Sequence, residues 1–378
     1  MAENMDMPDM RRLIGDLGMQ MSEALNVKVN RAPTATAHFR GVVVLGMGGS
    51  GIGGAILSDM LRNNCAVPVM AVSDQTLPGW VGAGCLVVAS SYSGNTEETL
   101  AALDMAEARG CTLAAVTSGG ALGQRAEQGG WPVVNMPGGH PPRSQFGRSF
   151  LGLCALMHAH GILDAESWRQ LQEGVAGLDG ESARERGESL AEAVEGKAIY
   201  LYADTPMRGL LTRWRQQLNE NSKLLANVEV FPEMNHNELV GWESGDEHCV
   251  AVIVRTEGDH PRTKLRMDIT AKVFQDQGAD VIEVEPDGGN KWAQLLDAVW
   301  VGDWMSLLLA ERAQVDPVER LREHLMAEGV LDQAAQDAMR EEIKGQIEAG
   351  LKGAAAEPLI EADTAEEIDD RPPPDTIP

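Results

Sequence analysis

The chain has no pair of cysteines at metal-ligand spacing, no apolar run long enough to cross a bilayer and few positive charges for its size. Each absence removes a class of function. A membrane span needs about eighteen to twenty consecutive apolar residues, and no stretch here reaches that length. The start, Met1-Ala2-Glu3-Asn4-Met5-Asp6, has neither the basic opening nor the apolar centre of a secretory signal, so a soluble cytoplasmic protein is expected. The five cysteines (Cys65, Cys85, Cys111, Cys154, Cys249) are scattered through apolar stretches, as small core residues are in a reducing compartment. Neither Cys-x-x-Cys nor His-x-x-x-His occurs, so no metal site is expected. Lys and Arg number 31 against 57 Asp and Glu, a net charge of −26, which repels nucleic acid and acidic membranes. An anionic small molecule remains compatible with that charge only if it is held locally. Backbone N–H groups at helix starts do this, because salt screens the remote surface.

What is present is a globular composition, 43% apolar over 378 residues, enough for two ordinary domains. Residues 1–38 read as a helical lead-in with Met10, Leu13, Ile14, Leu17 and Met21 on one face. Short β-branched runs follow at Gly41–Leu45, Val67–Val72, Leu86–Ala89, Leu113–Val116 and Val133–Val134, with helical stretches between them at Ala55–Arg62 and Glu97–Arg109. Strands alternating with helices predict parallel βαβ units, a sheet covered on both faces, and a first domain over 39–160. Residues 161–196 are polar and helical in pattern, a connector. A second alternation defines a domain over 197–315, with strands at Ala198–Tyr202, Val250–Val254 and Val281–Val284. Its helices are expected at Met207–Leu225, Arg262–Gln277 and Trp292–Ala313. Residues 316–378 hold 17 acidic and 6 basic residues and end Arg371-Pro372-Pro373-Pro374-Asp375, which predicts a separate, partly disordered acidic appendage.

Two loops point to an anion. Gly46-Met47-Gly48-Gly49-Ser50-Gly51-Ile52-Gly53-Gly54 follows a strand and opens a helix. Glycines there admit positive φ and let a ligand approach the backbone closely. Gly46-x-Gly48-x-x-Gly51 also fits a dinucleotide fingerprint, with Asp74 placed to meet a ribose, so this loop suits a nicotinamide enzyme as well as a sugar-phosphate enzyme. A tight turn that binds nothing is the plain alternative. The second loop, Ser91-Tyr92-Ser93-Gly94-Asn95-Thr96, leaves a buried strand and enters a helix at Glu97. Its three hydroxyls beside free helix N–H groups can serve all three terminal oxygens of a phosphate monoester, which a dinucleotide site does not need. Thr96 by itself also suits an N-cap, with Glu97 and Glu98 complementing the helix dipole.

Ser91-Tyr92-Ser93-Gly94-Asn95-Thr96-Glu97-Glu98-Thr99 resembles the signature loop of sugar isomerase (SIS) domains. The resemblance extends over residues 35–315 to the bifunctional phosphoglucose/phosphomannose isomerase family. It runs through Gly46–Gly54, Thr117-Ser118-Gly119-Gly120, Pro142-Arg143-Ser144-Gln145-Phe146-Gly147, Asn219-Glu220-Asn221-Ser222-Lys223 and Pro232-Glu233-Met234-Asn235-His236-Asn237-Glu238. It implies two SIS-type α/β domains, flavodoxin-like or Rossmann-like, with parallel sheets sandwiched by helices, and a homodimer acting on hexose 6-phosphates without a cofactor. Gly48, Gly49, Ser50, Ser91, Ser93 and Thr96 then hold the substrate phosphate.

Moving a carbonyl between C1 and C2 needs a base, a ring-opening acid/base and a cation for the developing oxyanion. Carboxylate, imidazole and guanidinium suit these tasks. By resemblance Glu220 is the base, His236 opens the ring from the neighbouring subunit and Arg143 steadies the enediolate. Without the resemblance, Glu220 reads more readily as a solvated helix residue, His236 equally as a loop histidine bonded to its own turn, and Arg143 as a surface arginine, the common alternative. The chain departs from the family at Asp316-Pro317-Val318-Glu319-Arg320-Leu321-Arg322, where Asp-Pro-Thr-Pro and a later lysine are usual. Arg322 stands where that lysine is expected, a possible C-terminal contributor to the site. The same stretch, Asp316–Pro358, weakly resembles the C-terminal helices of 2-oxo acid dehydrogenase α-subunits.

Overall fold

Helices α1 (Met7–Gly15) and α2 (Leu17–Leu25) lead into the first alternation. It comprises β1 (Gly41–Leu45), α3 (Gly48–Leu61), β2 (Val69–Val72), β3 (Cys85–Ser91), α4 (Glu97–Ala108), β4 (Thr112–Thr117), α5 (Gly120–Gly129) and β5 (Val133–Asn135). A 3₁₀ turn, Pro142–Gln145, opens onto α6 (Phe146–Ala159), α7 (Ala165–Ala176) and α8 (Gly180–Val194). The second alternation is β6 (Ala198–Asp204), α9 (Arg208–Gln217), β7 (Ala226–Phe231), α10 (Glu238–Gly241), β8 (Cys249–Val254), α11 (Pro261–Asp276), β9 (Asp280–Val284) and α12 (Lys291–Gln314). This computed structural model describes residues 7–32 and 38–314, with Met326 and Gly345 beyond them. Apart from those two, the acidic appendage read at 316–378, Arg322 included, lies outside the described residues. The described residues before Val315 form one compact unit carrying both sheets.

Both sheets are entirely parallel, in the orders β2-β1-β3-β4-β5 and β7-β6-β8-β9. Central strands with helices on both faces bury every side chain, so β1, and β3 as far as Ala89, read as unbroken apolar runs. Alternate residues then serve different cores. Val42, Val44, Val88 and Val116 face a central cluster shared with Leu201, Ala203, Val252 and Val254 of the second sheet. Val43, Leu45, Val87 and Ala115 pack outward with residues of α4 and α5. Tyr202, Phe231, Ile253 and Phe274 form the outer core of the second sheet.

The structure departs from the expected elements in three places. The glycine run is helix rather than loop, since α3 starts at Gly48 and not near Ala55. Its glycines allow close packing. A Cβ on Gly54 would sit 2.7 Å from Val44 Cγ1, and one on Gly51 would sit 2.3 Å from the Gly46 carbonyl. The expected helix Met207–Leu225 stops at Gln217, and Leu218–Ser222 continues as a π turn. After it comes β7, which the apolar pattern did not single out as a strand. It lies at the sheet edge, so Asn227 and Glu229 alternate with apolar neighbours.

Candidate active site

In an open parallel sheet, the crevice for ligands opens where successive crossovers leave in opposite directions. In the first sheet β1 is followed by β2 on one side and β3 on the other, so that point lies between β1 and β3. The loops that leave these two strands are the glycine-rich and hydroxyl-rich segments.

Neither following helix is capped by a side chain: Met47 precedes α3 and Thr96 precedes α4, and neither makes a capping hydrogen bond. Thr96 is therefore not acting as an N-cap, although it occupies that position. Its Oγ1 instead lies 2.8 Å from the buried Ser91 Oγ. Ser50 Oγ accepts the Tyr92 N–H at 3.0 Å, and Ser93 Oγ accepts the Asn95 N–H at 3.2 Å. A hydroxyl that accepts a hydrogen bond keeps its O–H to donate. Ser50, Ser93 and one member of the Ser91–Thr96 pair thus retain O–H donors, beside the uncapped amides at Gly48 and Gly49. Gly94 is needed because φ is +70° and a Cβ there would lie 1.8 Å from the Gly119 carbonyl, so the loop is folded tightly onto Thr117–Gly120.

Asp74, the alternative partner of the glycine loop, holds its own turn. Asp74 Oδ1 accepts from its own turn, from Thr76 N at 3.0 Å and Thr76 Oγ1 at 3.2 Å, as a turn-forming aspartate does.

Arg143 reaches the same crevice. Pro141 and Pro142 set the backbone of the 3₁₀ turn, and a Cβ on Gly49 would meet Arg143 N at 3.1 Å. Glycine at 49 lets the guanidinium-bearing turn seat directly on the start of α3. Arg143 Nη1 lies 3.7 Å from Glu220 Oε2, with side-chain exposures of 25% and 45%. At this length the pair leaves both groups free to engage a ligand as well.

The amides flanking Glu220 do not orient its carboxylate. Asn219 faces the carbonyls of Arg215 and Leu224, to which its amide nitrogen donates once the side-chain amide is turned. Asn221 Oδ1 accepts Arg143 Nε at 2.9 Å, and its amide nitrogen donates to Ser306 Oγ at 3.0 Å. Ser306 Oγ donates in turn to Asp303 O at 2.8 Å, and Ser222 Oγ donates to Ser306 O. Asp303 is buried and receives Arg213 Nη2 at 2.5 Å and Gln217 Nε2 at 2.9 Å, while Arg213 also donates to Arg143 O at 3.4 Å. Burial pushes the Asp303 carboxyl up against the pull of Arg213. The guanidinium of Arg213 also lies over the Phe146 ring, 4.2 Å from its centroid. A chain of bonds from α12 thus fixes Arg143, and Asn221, Ser306, Asp303, Arg213 and Gln217 were not legible as site residues beforehand. Asn221 alone had a signal, its place beside Glu220. Lys223, which closes the π turn, holds a left-handed φ of 60° and donates from Nζ to the Glu220 carbonyl. Non-glycine residues adopt that conformation only where the surroundings enforce it.

His236 does not join Arg143 and Glu220 within the chain. Glu220 precedes β7 and the exposed His236 ends the turn that follows it, so the strand of six residues separates them, roughly 16–20 Å along the sheet. Among the described residues the His236 ring makes no hydrogen bond or ion pair. Its neighbours tie the segment to the second sheet: Asn235 bonds Thr270, and Glu238 bonds Tyr202.

Among the described residues no group of three His, Cys, Asp or Glu side chains is placed to hold a metal, and no helix is long and apolar enough to cross a membrane.

Two parallel sheets with a hydroxyl and N–H cradle at the first switch point, and a carboxylate–guanidinium pair beside it, define a SIS-type phosphosugar protein. The comparisons agree. The bacterial phospho-glucose isomerase C-terminal SIS domain model matches residues 183–321. The bifunctional phosphoglucose/phosphomannose isomerase of Caldicellulosiruptor bescii is 36% identical over 290 residues, 73% of this chain and 85% of that protein. Its counterpart in Aquifex aeolicus is 35% identical over 295 residues, 76% of this chain and 91% of that one. Among solved structures, the C-terminal domain of glucosamine-fructose-6-phosphate aminotransferase from Francisella tularensis superposes with a TM-score of 0.65 at 13% identity. It covers 80% of this chain and 95% of that one. The chain belongs to the bifunctional phosphoglucose/phosphomannose isomerase family.

Proposed function

We propose that the protein interconverts glucose 6-phosphate and fructose 6-phosphate, and mannose 6-phosphate and fructose 6-phosphate, by moving a proton between C1 and C2 through an enediolate. The observation that carries the reading is the placement of Arg143 and Glu220 together beside the Ser50–Ser91–Ser93–Thr96 cradle. The phosphate is held by backbone N–H and hydroxyl donors, which work despite a net charge of −26 because they act at contact distance. Glu220 takes the proton from C2 and returns it to C1. The charge that develops on the oxygen meets Arg143, which is already oriented by Asn221 and so needs no reorganisation. No step requires a metal or nucleotide.

His236 opens the sugar ring, and it comes from a second copy of the chain. Its distance from Glu220 along β7, and its unpartnered ring, support a dimer in which each site borrows this histidine.

A coupled assay on both aldoses is the direct test, with mutant mixing to check the shared site. Glu220→Gln and His236→Asn are each expected to be inactive alone and to recover part of the activity when mixed, since one site in each hybrid dimer keeps both residues. Absence of turnover on either aldose would sink the catalytic reading. Hybrids demonstrated by native mass spectrometry but lacking any activity would remove the shared histidine.

A further inference from the structure

We propose a second anion site at the C-terminal edge of the second sheet, formed by Arg62, Arg262, Arg266 and His260, that takes a small phosphorylated molecule of two or more negative charges. The second sheet repeats the crossover reversal of the first: β6 is followed by β7 on one side and β8 on the other. The crevice expected between β6 and β8 is present, a cavity of about 450 Å³. Its floor comes from Asp204 at the end of β6, Thr205 after it and Thr263 of α11, and its rim is basic.

The rim brings three guanidinium groups together. Ten other arginines are ion-paired, as befits an excess of carboxylates. The guanidinium groups of Arg62, Arg262 and Arg266 make no hydrogen bond or ion pair among the described residues, yet they surround one cavity. Arg62 also borders an adjoining hollow of about 590 Å³, where the Arg208 guanidinium is likewise without a hydrogen-bond or ion-pair partner among the described residues. Three guanidinium groups with no carboxylate at ion-pair distance among the described residues, in a protein with carboxylates to spare, are suited to an external anion. Their planar forks match phosphate oxygens in pairs.

The carboxylates nearby are engaged elsewhere. Asp204 accepts Thr205 N at 2.9 Å, His260 N at 3.0 Å and Thr263 Oγ1 at 3.3 Å, which anchors the start of α11. Asp59 accepts Gly209 N at 2.9 Å. His260 Nδ1 accepts the Arg262 N–H at 3.1 Å, so the neutral ring carries its proton on Nε2, a further donor. The cavity is larger than one phosphate requires and lies within the range of small-metabolite sites. It is distinct from the isomerase crevice. Gly48 and Leu61 mark the two ends of α3, one at each site, about 20 Å apart for a helix of 14 residues.

The test is calorimetric titration of the full chain with pyrophosphate at about 0.15 M salt, an ionic strength that screens weak surface attraction. Wild type, Ser93→Ala and Arg62→Ala/Arg262→Ala are compared, with Arg266→Ala as a second route to the same site. A binding event is expected that survives Ser93→Ala and weakens more than tenfold in both arginine variants. The arginines are at the surface, so the fold is expected to persist, checked by circular dichroism. Equal pyrophosphate affinity in the arginine variants overturns the proposal, as does loss of all binding in Ser93→Ala. A change of oligomeric state in the arginine variants without any change in pyrophosphate binding overturns it too, by assigning these residues to contacts between copies. The experiment reads binding alone, so a protein with no isomerase turnover still returns an answer.

Discussion

The two sheets are wound alike, yet their crevices present different hydrogen-bond donors. At the first, the helices after β1 and β3 begin without side-chain caps, and hydroxyls supply the remaining donors. At the second, the His260 ring caps α11 and guanidinium groups line the opening. Backbone donors sit at fixed positions and act only at contact, so they favour one geometry, a phosphate monoester seated in a cradle. Arginine side chains carry a full charge on long stems and so act over a longer range. The same topology therefore provides a site built for registration, where a reacting carbon must be placed against Glu220, and one built for capture.

The comparison breaks most sharply at Glu220. If the first crevice alone does chemistry, Glu220→Gln is expected to lower kcat by about 10²–10⁴-fold, the usual contribution of a positioned base. Exchange of the C2 proton with solvent should fall in parallel, with substrate affinity nearly unchanged. Exchange at the wild-type rate would remove Glu220 as the base. Arg262→Ala at the other crevice should leave kcat within about twofold in the absence of added anions.

Next in size is Ser93→Ala. It deletes one donor to a dianion, worth about 1.5–3 kcal/mol, so KM for fructose 6-phosphate is expected to rise about ten- to a hundredfold. An equal rise with Arg262→Ala would mean that the two crevices are not independent.

Smaller again, about tenfold in kcat with little change in KM, is the expected effect of Asn221→Ala, which frees the Arg143 guanidinium from its orienting acceptor. Asn221→Asp keeps an acceptor for Arg143 and should recover part of the loss. A merely structural role for Asn221 predicts instead a drop in thermal stability with no kinetic split. Deeper in the same chain, Asp303→Ala leaves Arg213 buried without its partner, and breaking such a pair costs about 3–5 kcal/mol.

These sites were unequally legible in the sequence. The alternation of apolar runs and helical stretches was enough for two parallel sheets, because a buried central strand such as Val42–Leu45 has few other readings. The hydroxyl loop was legible because Ser91, Ser93 and Thr96 lie within six residues. The support for Arg143 was not, because Asn221, and behind it Asp303 and Ser306, come into place only when α9 and α12 pack across separations of more than seventy residues. The glycine run misled in one respect: the same residue permits a loose loop or a helix pressed against its neighbours, and only Val44 and Arg143 on the other side decide between them. The arginines of the second crevice carried no local signal, being spread from α3 to α11.

The smallest effect concerns the helix that joins the two crevices. Asp59 lies on α3 between the isomerase cradle and Arg62, and its carboxylate receives Gly209 N from the start of α9. Burial raises its pKa to about 6, although Gly209, Arg208 and Arg62 all pull it down. The native state therefore holds a proton that the unfolded chain has released, in the interval between the ordinary carboxylate value and about 6. Stability from this group is fully present below that interval and is lost as pH rises through it, because the charged form is the one that burial penalises. At pH 8 the ionised carboxylate is a cost that Asp59→Asn removes, while the amide oxygen still accepts from Gly209. The variant is expected to melt a few degrees above wild type at pH 8, with the difference shrinking towards pH 4.5. Calorimetric melts of both proteins across that range check the sign. A variant that melts lower than wild type at pH 8 would mean that the ionised carboxylate, held by Gly209 and the nearby arginines, stabilises the contact between α3 and α9. In that case charge at position 59 would support both crevices rather than burden the helix between them.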